Sequence, residues 1–293
     1  MSEAHRMQDL ERCLADLPIL PTLVGRLVTL DMNAEGSFDE VVAIAEEEPT
    51  FAIRILALAN SVLFAPNQEI TSIREAVSRV GAWRIAELCS SMALLRVFAP
   101  STDDERGLWL HSIQVAVGAR QIAGAISASG VEPQEAYLVG LLHDFGRFVL
   151  LEFARLDLQR IDEVGFSHPE LLVALEKLAL GFDHAEAGAR ALEHWGLPAS
   201  LAAYVRNHHI YGPASGKVDN ELLLQVVQVA DHLSVLMQLD PEGFHGANRV
   251  DVGEVTKCTL AVHPDFSLSP DKLAELAPAI RAEAEALALG LGI

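Results

Sequence analysis

A histidine and an aspartate stand next to each other inside an otherwise apolar stretch of the sequence. His143 and Asp144 lie within Tyr-Leu-Val-Gly-Leu-Leu-His-Asp-Phe-Gly-Arg-Phe-Val-Leu-Leu, which is typical of a protein core. Burying an unpaired carboxylate costs several kcal/mol, so this one needs a compensating partner, such as a metal ion or a hydrogen-bonding cation. The pair therefore predicts that other polar side chains converge on it.

Further metal-capable side chains occupy helix positions that the apolar pattern assigns to the core. His111, His184 and Asp231 each share a stripe with apolar residues at spacings of three and four. The pair His208-His209 follows an apolar helix and precedes a Tyr-Gly-Pro turn, so it lies at a helix end that could face the same cavity. The predicted metal ligands are His111, His143, Asp144, His184, His208, His209 and Asp231.

The spacing of these residues suits one or two metal ions. Neighbouring residues have Cα atoms about 3.8 Å apart, so adjacent ligands such as His143-Asp144 can address two ions about 3.5–4 Å apart. A carboxylate from Asp144 or Asp231 can bridge two ions or complete a coordination shell. Imidazole ligands favour Fe, Mn, Zn or Ni over Mg or Ca. We expect no other cofactor.

Each of these residues has a simpler interpretation when it is taken alone. A single histidine on a helix face, such as His111 or His184, is most often a hydrogen-bonded polar group without a metal. Asp231 could equally cap a helix or form a salt bridge. A His-Asp dipeptide also arises often by chance. The prediction of a site therefore depends on the ordered set and not on any one member.

The elements that must position this set are helices. Apolar residues recur at three and four rather than two, and the chain is rich in Ala, Leu and Glu, which predicts an all-α fold. Ser72-x-x-Glu75 predicts one helix N-terminus, and Ser269-Pro270 predicts another. The predicted helices span about residues 8–16, 21–32, 38–47, 50–60, 72–79, 82–97, 106–128, 133–142, 146–162, 168–180, 184–195, 198–208, 219–239, 251–262 and 269–289.

A polar, proline-containing stretch between Phe98 and Gly107 separates two groups of predicted helices. We place a subdomain boundary there. The predicted organisation is an N-terminal helical subdomain over residues 1–100, a second helical subdomain over residues 101–240 and a C-terminal helical extension over residues 241–293. The extension either completes the helical core or offers a surface for a partner.

The charge and the cysteine content argue against several classes of function. Within 293 residues, 21 Lys and Arg stand against 41 Asp and Glu, giving a formal net charge of −20 without a basic stretch to hold a phosphate backbone. We therefore expect no direct binding to nucleic acid or to a membrane. Cys13, Cys89 and Cys258 are far apart, and the sequence shows no signal-peptide pattern or long apolar run, which predicts a cytoplasmic protein.

Short motifs in both halves of the chain carry a resemblance to a known family. In the first half they are Leu17-Pro18-Ile19-Leu20-Pro21, Glu48-Pro49-Thr50, Arg54-Ile55-Leu56-Ala57-Leu58-Ala59-Asn60-Ser61, Ile70-Thr71-Ser72-Ile73-Arg74-Glu75-Ala76-Val77 and the turn at Gly81. In the second half they are Gly140-Leu141-Leu142-His143-Asp144-Phe145-Gly146-Arg147, His184-Ala185-Glu186-Ala187-Gly188-Ala189 and Trp195-Gly196-Leu197-Pro198. Over about residues 12–240 the chain resembles the HDOD domain, a helical signalling output module of the HD superfamily.

The resemblance implies a multi-helix HDOD-type fold with an HD-like subdomain over residues 101–240. It also implies a bacterial signal-transduction or regulatory protein, such as a response-regulator output in a two-component system or a part of a second-messenger pathway. Such a protein acts through contacts with regulatory partner proteins and without hydrolase activity. We expect any phosphate-receiver domain to belong to another chain.

Two alternatives stay open at this point. The related HD-GYP cyclic di-GMP phosphodiesterases share much of the His/Asp order, so the chain could be a metal-dependent phosphohydrolase of cyclic di-GMP or another phosphodiester, with a cyclic dinucleotide as its ligand. Against this, Arg147 stands where that branch has a lysine, and residues 177–183 lack its Gly-Tyr-Pro element. The other alternative is a structural or sensory metal site, which is compatible with a signalling role.

A hydrolase would divide the predicted ligands between two ions. The principal ion would be held by His111, His143, Asp144 and Asp231, and a second ion by His184, His208 and His209. No catalytic residue is assigned, because no general acid can be named. The nearest candidates, Glu186 and Glu193, are expected to be solvated.

Other polar residues in the matching motifs are expected to be structural. Asn60-Ser61 is expected to end a helix, with Asn60 in a left-handed conformation. Four scattered arginines are expected to be solvated or paired and not to form an anion site. They are Arg54, Arg74, Arg79 and Arg84.

Overall fold

The protein is built from helices. The structure is a computed structural model that describes residues 3–16, 22–32, 34–47, 49–60, 70–126, 130–165, 171–211, 218–239 and 266–293, together with residues 253, 255, 257 and 263. No β-strand occurs in these ranges, which confirms the predicted all-α fold. No helix among the described residues is both long and apolar enough to cross a membrane.

The first six helices belong to the N-terminal half. They are α1 (Glu3–Asp16), α2 (Thr22–Thr29), α3 (Ser37–Glu47), α4 (Pro49–Ala59), α5 (Ile73–Val80) and α6 (Ala82–Val97). Helix α5 starts at the predicted cap, since the Ser72 side chain accepts a hydrogen bond from the Glu75 backbone N–H, and it ends at Gly81, whose φ of 100° favours glycine. Helix α6 packs against α2 and α3.

The other helices of the described residues carry the predicted ligands and the C-terminus. They are α7 (Asp103–Ala125), α8 (Pro133–Leu142), α9 (Phe145–Gly165), α10 (Leu172–Leu180), α11 (His184–His194), α12 (Ala199–Asn207), α13 (Glu221–Leu239) and α14 (Pro270–Leu291). Helix α7 is central, because it packs against α8, α13 and α14, while α11 packs against α9 and α12. The predicted helix over 251–262 lies almost entirely outside the described residues.

Two helices begin earlier than the apolar pattern predicts. Helix α7 begins at Asp103, because the Thr102 side chain caps it by accepting a hydrogen bond from the Glu105 backbone N–H. The acidic residues in its first turn also stabilise this end, where the helix dipole is positive. Helix α1 begins at Glu3, in a polar turn where an apolar pattern gives no signal. There Asp9 contacts both His5 and Arg12.

The chain ends of the described structure pack across both halves. Helix α1 packs against α9 and α11, and α14 packs against α7 and α4. Helix α14 starts as predicted, with the Ser269 side chain accepting from the Lys272 backbone N–H and Pro270 in the first turn. The division into residues 1–100, 101–240 and 241–293 stays a prediction.

A close crossing of α9 and α11 sets the position of two predicted ligands. Gly146 is the second residue of α9, and a Cβ placed on it would lie 1.7 Å from the His184 carbonyl oxygen. Gly188 of α11 faces the same contact, with its own ideal Cβ 2.8 Å from the Gly146 nitrogen. Because both residues are glycine, the helix backbones can touch, and this contact brings Asp144 beside His184.

Candidate metal centre

The seven predicted ligands come from five places in the chain and converge on one site. His111 lies in α7 and Asp231 in α13, while His143-Asp144 forms the turn between α8 and α9. His184 is the first residue of α11, and its helix is capped by Asp183. The pair His208-His209 follows α12. All seven are buried except His209, which is partly exposed.

One group of ligands surrounds His111. Its Nε2 atom lies 3.2 Å from His143 Nε2, 3.3 Å from Asp231 Oδ1 and 3.6 Å from Asp144 Oδ2. His143 Nε2 lies 3.7 Å from Asp144 Oδ1 and 3.8 Å from Asp231 Oδ1. Two imidazoles and two carboxylates therefore face one small space.

A second group surrounds His184. Its Nε2 atom lies 2.8 Å from His209 Nε2, 3.3 Å from His208 Nε2 and 3.1 Å from Asp144 Oδ1. His208 Nε2 also lies 3.4 Å from Asp144 Oδ1. The potential ligand atoms of Asp144, His184, His208 and His209 lie within 4.8 Å of one another, as do those of His111, His143 and Asp144. Asp144 thus lies between the two groups, and the assignment of these ligands to two ions stays a prediction.

For two histidines, the partner of the ring nitrogen that points away from the site, Nδ1, determines which ring nitrogen carries the hydrogen. His143 Nδ1 lies 2.7 Å from the Gly140 carbonyl oxygen, and His208 Nδ1 lies 2.6 Å from the Val205 carbonyl oxygen. A carbonyl can only accept, so each Nδ1 donates a hydrogen. In the neutral rings, each Nε2 is left as a bare acceptor that points into the site.

Two further histidines of the site, His184 and His111, are oriented in the same way. His184 Nδ1 lies 2.6 Å from Glu176 Oε2, a carboxylate oxygen that can only accept. His111 Nδ1 lies 3.1 Å from Ser234 Oγ, and this hydroxyl donates its own hydrogen to Gln114 Oε1 at 2.8 Å. Ser234 must therefore accept from His111, so both histidines also present a bare Nε2 when neutral.

These contacts test whether the residues suit a metal ion. Bare imidazole nitrogens and carboxylate oxygens face each other at 3.1–3.8 Å, where two acceptors without a hydrogen repel. A cation between them removes the repulsion and satisfies each lone pair. The buried His/Asp cluster could therefore bind a metal ion, and its nitrogen and oxygen donors suit Fe, Mn, Zn or Ni.

The electrostatic environment separates histidines that look alike in the sequence. Burial lowers the pKa of His143 to about 4. For His184, burial lowers the pKa, but Glu176 and Asp144 outweigh it and raise the pKa to about 10. Burial, together with His208 and His184, holds the pKa of His209 well below its usual range. A proton on His184 is thus the simplest cation that could stand in for a metal.

The two carboxyl groups of the site are held in their charged form. Burial alone would raise the pKa of Asp144, but His143 and His184 lower it well below the usual range. For Asp231, burial is likewise outweighed by its hydrogen bond with His111 and by its electrostatic interaction with His143, so its pKa is also lowered. Two carboxylates at the centre of the site favour a bound cation.

Several residues that support the ligands had no clear signal in the sequence. Glu176, Ser234 and Gln114 bind the outer nitrogens or their partners, as described above. Gln228 donates from Nε2 to the His208 carbonyl oxygen at 2.9 Å and accepts from His263 Nε2 at 2.6 Å, so it fixes the turn that carries His208. The spacing of three between Asp231 and Ser234 could have indicated a shared helix face.

Arg147 is not available to a ligand in this structure. Its side chain is only 11% exposed, and its guanidinium lies 2.6 Å from Asp162 Oδ1 and 3.4 Å from Glu176 Oε1. Burial lowers the pKa of Arg147, but Asp162 and Glu176 outweigh it, so the pKa is raised and the group stays charged. The arginine that stands here in place of the lysine of the phosphodiesterase branch is therefore held in ion pairs with Asp162 and Glu176.

Five other charged residues singled out by sequence have partners at separate places. Arg54 donates to the Leu291 carbonyl oxygen, Arg74 pairs with Asp39 at 2.7 Å, and Arg84 pairs with Glu283. Glu186 pairs with Arg190 at 2.7 Å and with Arg206 at 2.9 Å, and Glu193 also pairs with Arg206 at 2.9 Å. The expectation that the arginines would be paired thus holds for these three, while the two glutamates are paired rather than simply solvated.

Asn60 has the structural role that the sequence indicates. Its side chain donates to the Leu56 and Ile70 carbonyl oxygens at 2.9 and 2.8 Å and accepts from the Ile70 backbone N–H at 2.9 Å. It therefore joins the end of α4 to the segment before α5. Ser61 lies outside the described residues.

Fold and site together define an all-helical domain with a buried centre of the HD type. The family model of the HDOD domain matches residues 17–211, and the chain belongs to that family. A curated, uncharacterised protein of Treponema pallidum (strain Nichols) is 26% identical over 194 residues, which cover 66% of this chain and 38% of that protein. The chain thus spans well under half of the length of this relative.

Solved structures share the fold. An HDOD domain protein of unknown function from Geobacter sulfurreducens is 22% identical, with a TM-score of 0.72 and coverage of 98% of this chain and 99% of that one. A protein from Shewanella amazonensis SB2B, described as a candidate phosphohydrolase, is 20% identical, with a TM-score of 0.73 and coverage of 97% and 98%. At these identities the likeness establishes the fold alone.

Proposed function

We propose that this protein is a bacterial signal-transduction output module that acts through contacts with regulatory partner proteins and has no hydrolase activity. Its His/Asp cluster serves as a structural or sensory metal centre. The protein works in the cytoplasm, without direct contact with nucleic acid or membrane, and receives its signal from a two-component or second-messenger pathway.

The burial of Arg147 is the observation that carries this proposal. The phosphodiesterase branch that resembles this chain has a lysine here, a compact and mobile charge with three donors. Arg147 instead has a planar fork, which holds Asp162 on one side and Glu176 on the other. A guanidinium held by these two carboxylates supports His184 through Glu176 and is not free to bind a substrate.

The charges near the centre agree with that conclusion. Glu186, the acidic residue nearest to His184 in its helix, is taken up by Arg190 and Arg206 and is not free to protonate a leaving group. The formal net charge of −20 also gives a field that repels a dianionic nucleotide. Neither feature favours phosphodiester hydrolysis.

One observation favours the alternative of a metal-dependent phosphohydrolase of cyclic di-GMP or another phosphodiester. Asp144 reaches both ligand groups, and a carboxylate shared between two ions is typical of centres that cleave phosphodiesters. Such ions polarise a phosphodiester oxygen and lower the pKa of a bound water. In that case His111, His143 and Asp231 would hold one ion and the His184 group the other.

Metal analysis and a hydrolysis assay on the same preparation separate these functions. We would purify the chain without chelator, measure its metal content, and assay cyclic di-GMP and bis(4-nitrophenyl) phosphate with added Mn²⁺ or Fe²⁺. We expect bound metal, no turnover, and loss of the metal in the His143→Ala/Asp144→Ala variant. Turnover that this variant abolishes would establish the hydrolase, and metal-free wild-type protein would contradict the metal centre.

A further inference from the structure

A buried glutamate of α10 holds the first residue of α11. The Glu176 side chain is completely buried, and its Oε2 atom accepts from the His184 backbone N–H at 2.9 Å and from His184 Nδ1 at 2.6 Å. The backbone bond fixes where α11 begins, and the ring bond fixes the orientation of the imidazole. One carboxylate oxygen therefore determines both the position and the direction of His184 Nε2.

Glu176 is itself held by a row of charges that leads away from the centre. Its Oε1 atom pairs with Arg147 at 3.4 Å, and Arg147 pairs with Asp162 at 2.6 Å. The Asp162 side chain is 34% exposed, so the row begins close to solvent and ends at a predicted metal ligand. Arg147 and Asp162 both lie in α9, on opposite sides of a kink at Ala154. The row therefore links α9 and α10 to the centre.

The other histidines whose outer nitrogen contacts are described have neutral partners. His143 and His208 each donate to the carbonyl oxygen of the residue three positions earlier in the chain. His111 donates to the Ser234 hydroxyl. Among these four, only His184 donates to a carboxylate. A charged acceptor makes the opposite ring nitrogen a stronger metal donor than a neutral acceptor does.

We infer that Glu176 is a positioning residue that sets the metal affinity of the half-site formed by Asp144, His184, His208 and His209. Uptake of an ion there tightens the contact between α10 and α11, so the occupancy of the half-site is transmitted to α10. This inference rests on the metal centre of the proposed function. Ser234 has the corresponding, weaker role for His111 in the other half-site.

Substitutions on the two sides of the centre provide the test. In Glu176→Gln the amide must turn a donor toward either His184 or Arg147, so at least one hydrogen bond is lost together with the charge. We expect this to weaken one of two bound Co²⁺ ions by roughly 10- to 100-fold, the usual effect of losing such a partner. Ser234→Ala should weaken the other ion and leave the first unchanged.

Two further variants separate positioning from general damage. Glu87→Gln is the matched control, because Glu87 is also a buried glutamate beside an arginine, 3.5 Å from Arg120, but it lies away from the ligands. It should bind both ions as the wild type does. Glu176→Asp keeps the charge on a shorter side chain and should fall between Glu176→Gln and the wild type.

The readouts are the stoichiometry and Kd of Co²⁺ by calorimetry, the visible absorption of bound Co²⁺, and hydrogen exchange of residues 172–180. In the wild type, Co²⁺ should slow exchange in α10, and this measurement depends on no variant. Equal Co²⁺ affinities in Glu176→Gln and wild type would overturn the inference while leaving the metal centre intact. The same conclusion would follow if Co²⁺ bound to the wild type without changing the hydrogen exchange of α10. Wild-type protein that binds no metal would overturn both.

Discussion

The carbonyl oxygen of His184 occupies the place where a side chain on Gly146 would begin. An ideal Cβ on Gly146 would lie 1.7 Å from that oxygen and 2.6 Å from the Gly188 nitrogen. Both obstacles are backbone atoms, which move only if a whole helix moves. The contact between α9 and α11, and with it the distance from Asp144 to His184, therefore requires glycine at this position.

Gly146→Ala should destabilise the protein strongly and disturb the metal centre. We expect a loss of at least about 3 kcal/mol in the free energy of unfolding, because overpacking against backbone cannot be relieved by a change of rotamer. The measurement is denaturant unfolding together with metal content. Gly124→Ala is the control, since Gly124 lies in α7 with nothing within 4 Å of its ideal Cβ. It should be neutral or stabilising by up to about 1 kcal/mol. Equal effects of the two substitutions would contradict this account.

Glu105 should contribute stability that depends on pH. Burial raises its pKa, but hydrogen bonds from Arg155 and from Ser101 outweigh burial and lower the pKa from 4.5 to about 2. Because the pKa is lower in the folded state, the contribution is fully present above about pH 4.5 and is lost as the pH falls toward 2. Glu105→Gln should lower the free energy of unfolding by roughly 1 kcal/mol at pH 7, since Arg155 is partly exposed.

Unfolding curves of wild type and Glu105→Gln between pH 7 and pH 2.5 check this prediction. The difference between them should stay constant down to about pH 4.5 and then shrink as the pH falls toward 2, because wild-type Glu105 takes up a proton and loses its advantage. A difference that stays constant over this range would show that the ionised carboxylate contributes nothing. Asp103→Asn is a suitable control, because its pair with Arg106 lies at the surface.

Glu87 should show the opposite dependence. Burial raises its pKa from 4.5 to about 7, although Arg120 and Arg84 act in the other direction. A folded-state pKa above the unfolded value means that stability is greatest below about pH 4.5 and declines as the pH rises through 7. Glu87→Gln removes this decline, so the stability of the variant relative to wild type should increase between pH 5 and pH 8. A flat difference over that interval would refute the assignment.

Metal removal should destabilise the protein. Without a cation, the bare nitrogens of His111 and His143 and two carboxylates repel one another at 3.2–3.8 Å. A ligand that binds only the folded state stabilises it by about 4 kcal/mol when its free concentration is a thousand times its Kd. Thermal melts with and without chelator measure this. The His143→Ala/Asp144→Ala variant should melt at one temperature in both conditions, and a chelator effect that persists in it would place the metal elsewhere.

Some of these features could be predicted from the sequence and some could not. The helices follow from apolar spacing and from local caps such as Ser72 and Ser269, which need only neighbouring residues. The early start of α7 does not follow from the apolar pattern, because Thr102 and the acidic residues after it belong to a polar stretch. Such a stretch looks the same whether it caps a helix or joins two.

The site divides in a similar way. The ligand types and their order were sufficient to select seven residues that the fold brings together. Glu176 was missed because an acidic residue in a helix is usually solvated, and its partner Arg147 lies 29 residues away in the sequence. The local sign that it faces the core is the apolar residues three and four positions before and after it, such as the buried Leu180. Contacts between distant helices leave no such pattern in a single sequence.

The C-terminal helix should depend on one acidic residue. Glu283 of α14 pairs with Arg120 of α7 at 2.7 Å, accepts from Gln121 at 2.8 Å and contacts Arg84 of α6, and its side chain is only 12% exposed. Glu283→Ala leaves Arg120 buried beside Glu87 alone, and removing one partner of a buried ion pair typically costs about 3–5 kcal/mol. Because Arg84 is one-third exposed and can turn to solvent, we expect about 3 kcal/mol.

Denaturant unfolding of Glu283→Ala and Glu285→Ala provides the comparison. Glu285 lies two residues further along the same helix, and its side chain is 48% exposed beside Arg281. Its loss should cost less than about 1 kcal/mol, because exposed ion pairs contribute little. In Glu283→Ala, hydrogen exchange should also rise along α14 before the rest of the chain unfolds, since the three helices it joins are no longer held by a shared carboxylate. If the two variants unfold alike, α14 is held by its apolar face alone.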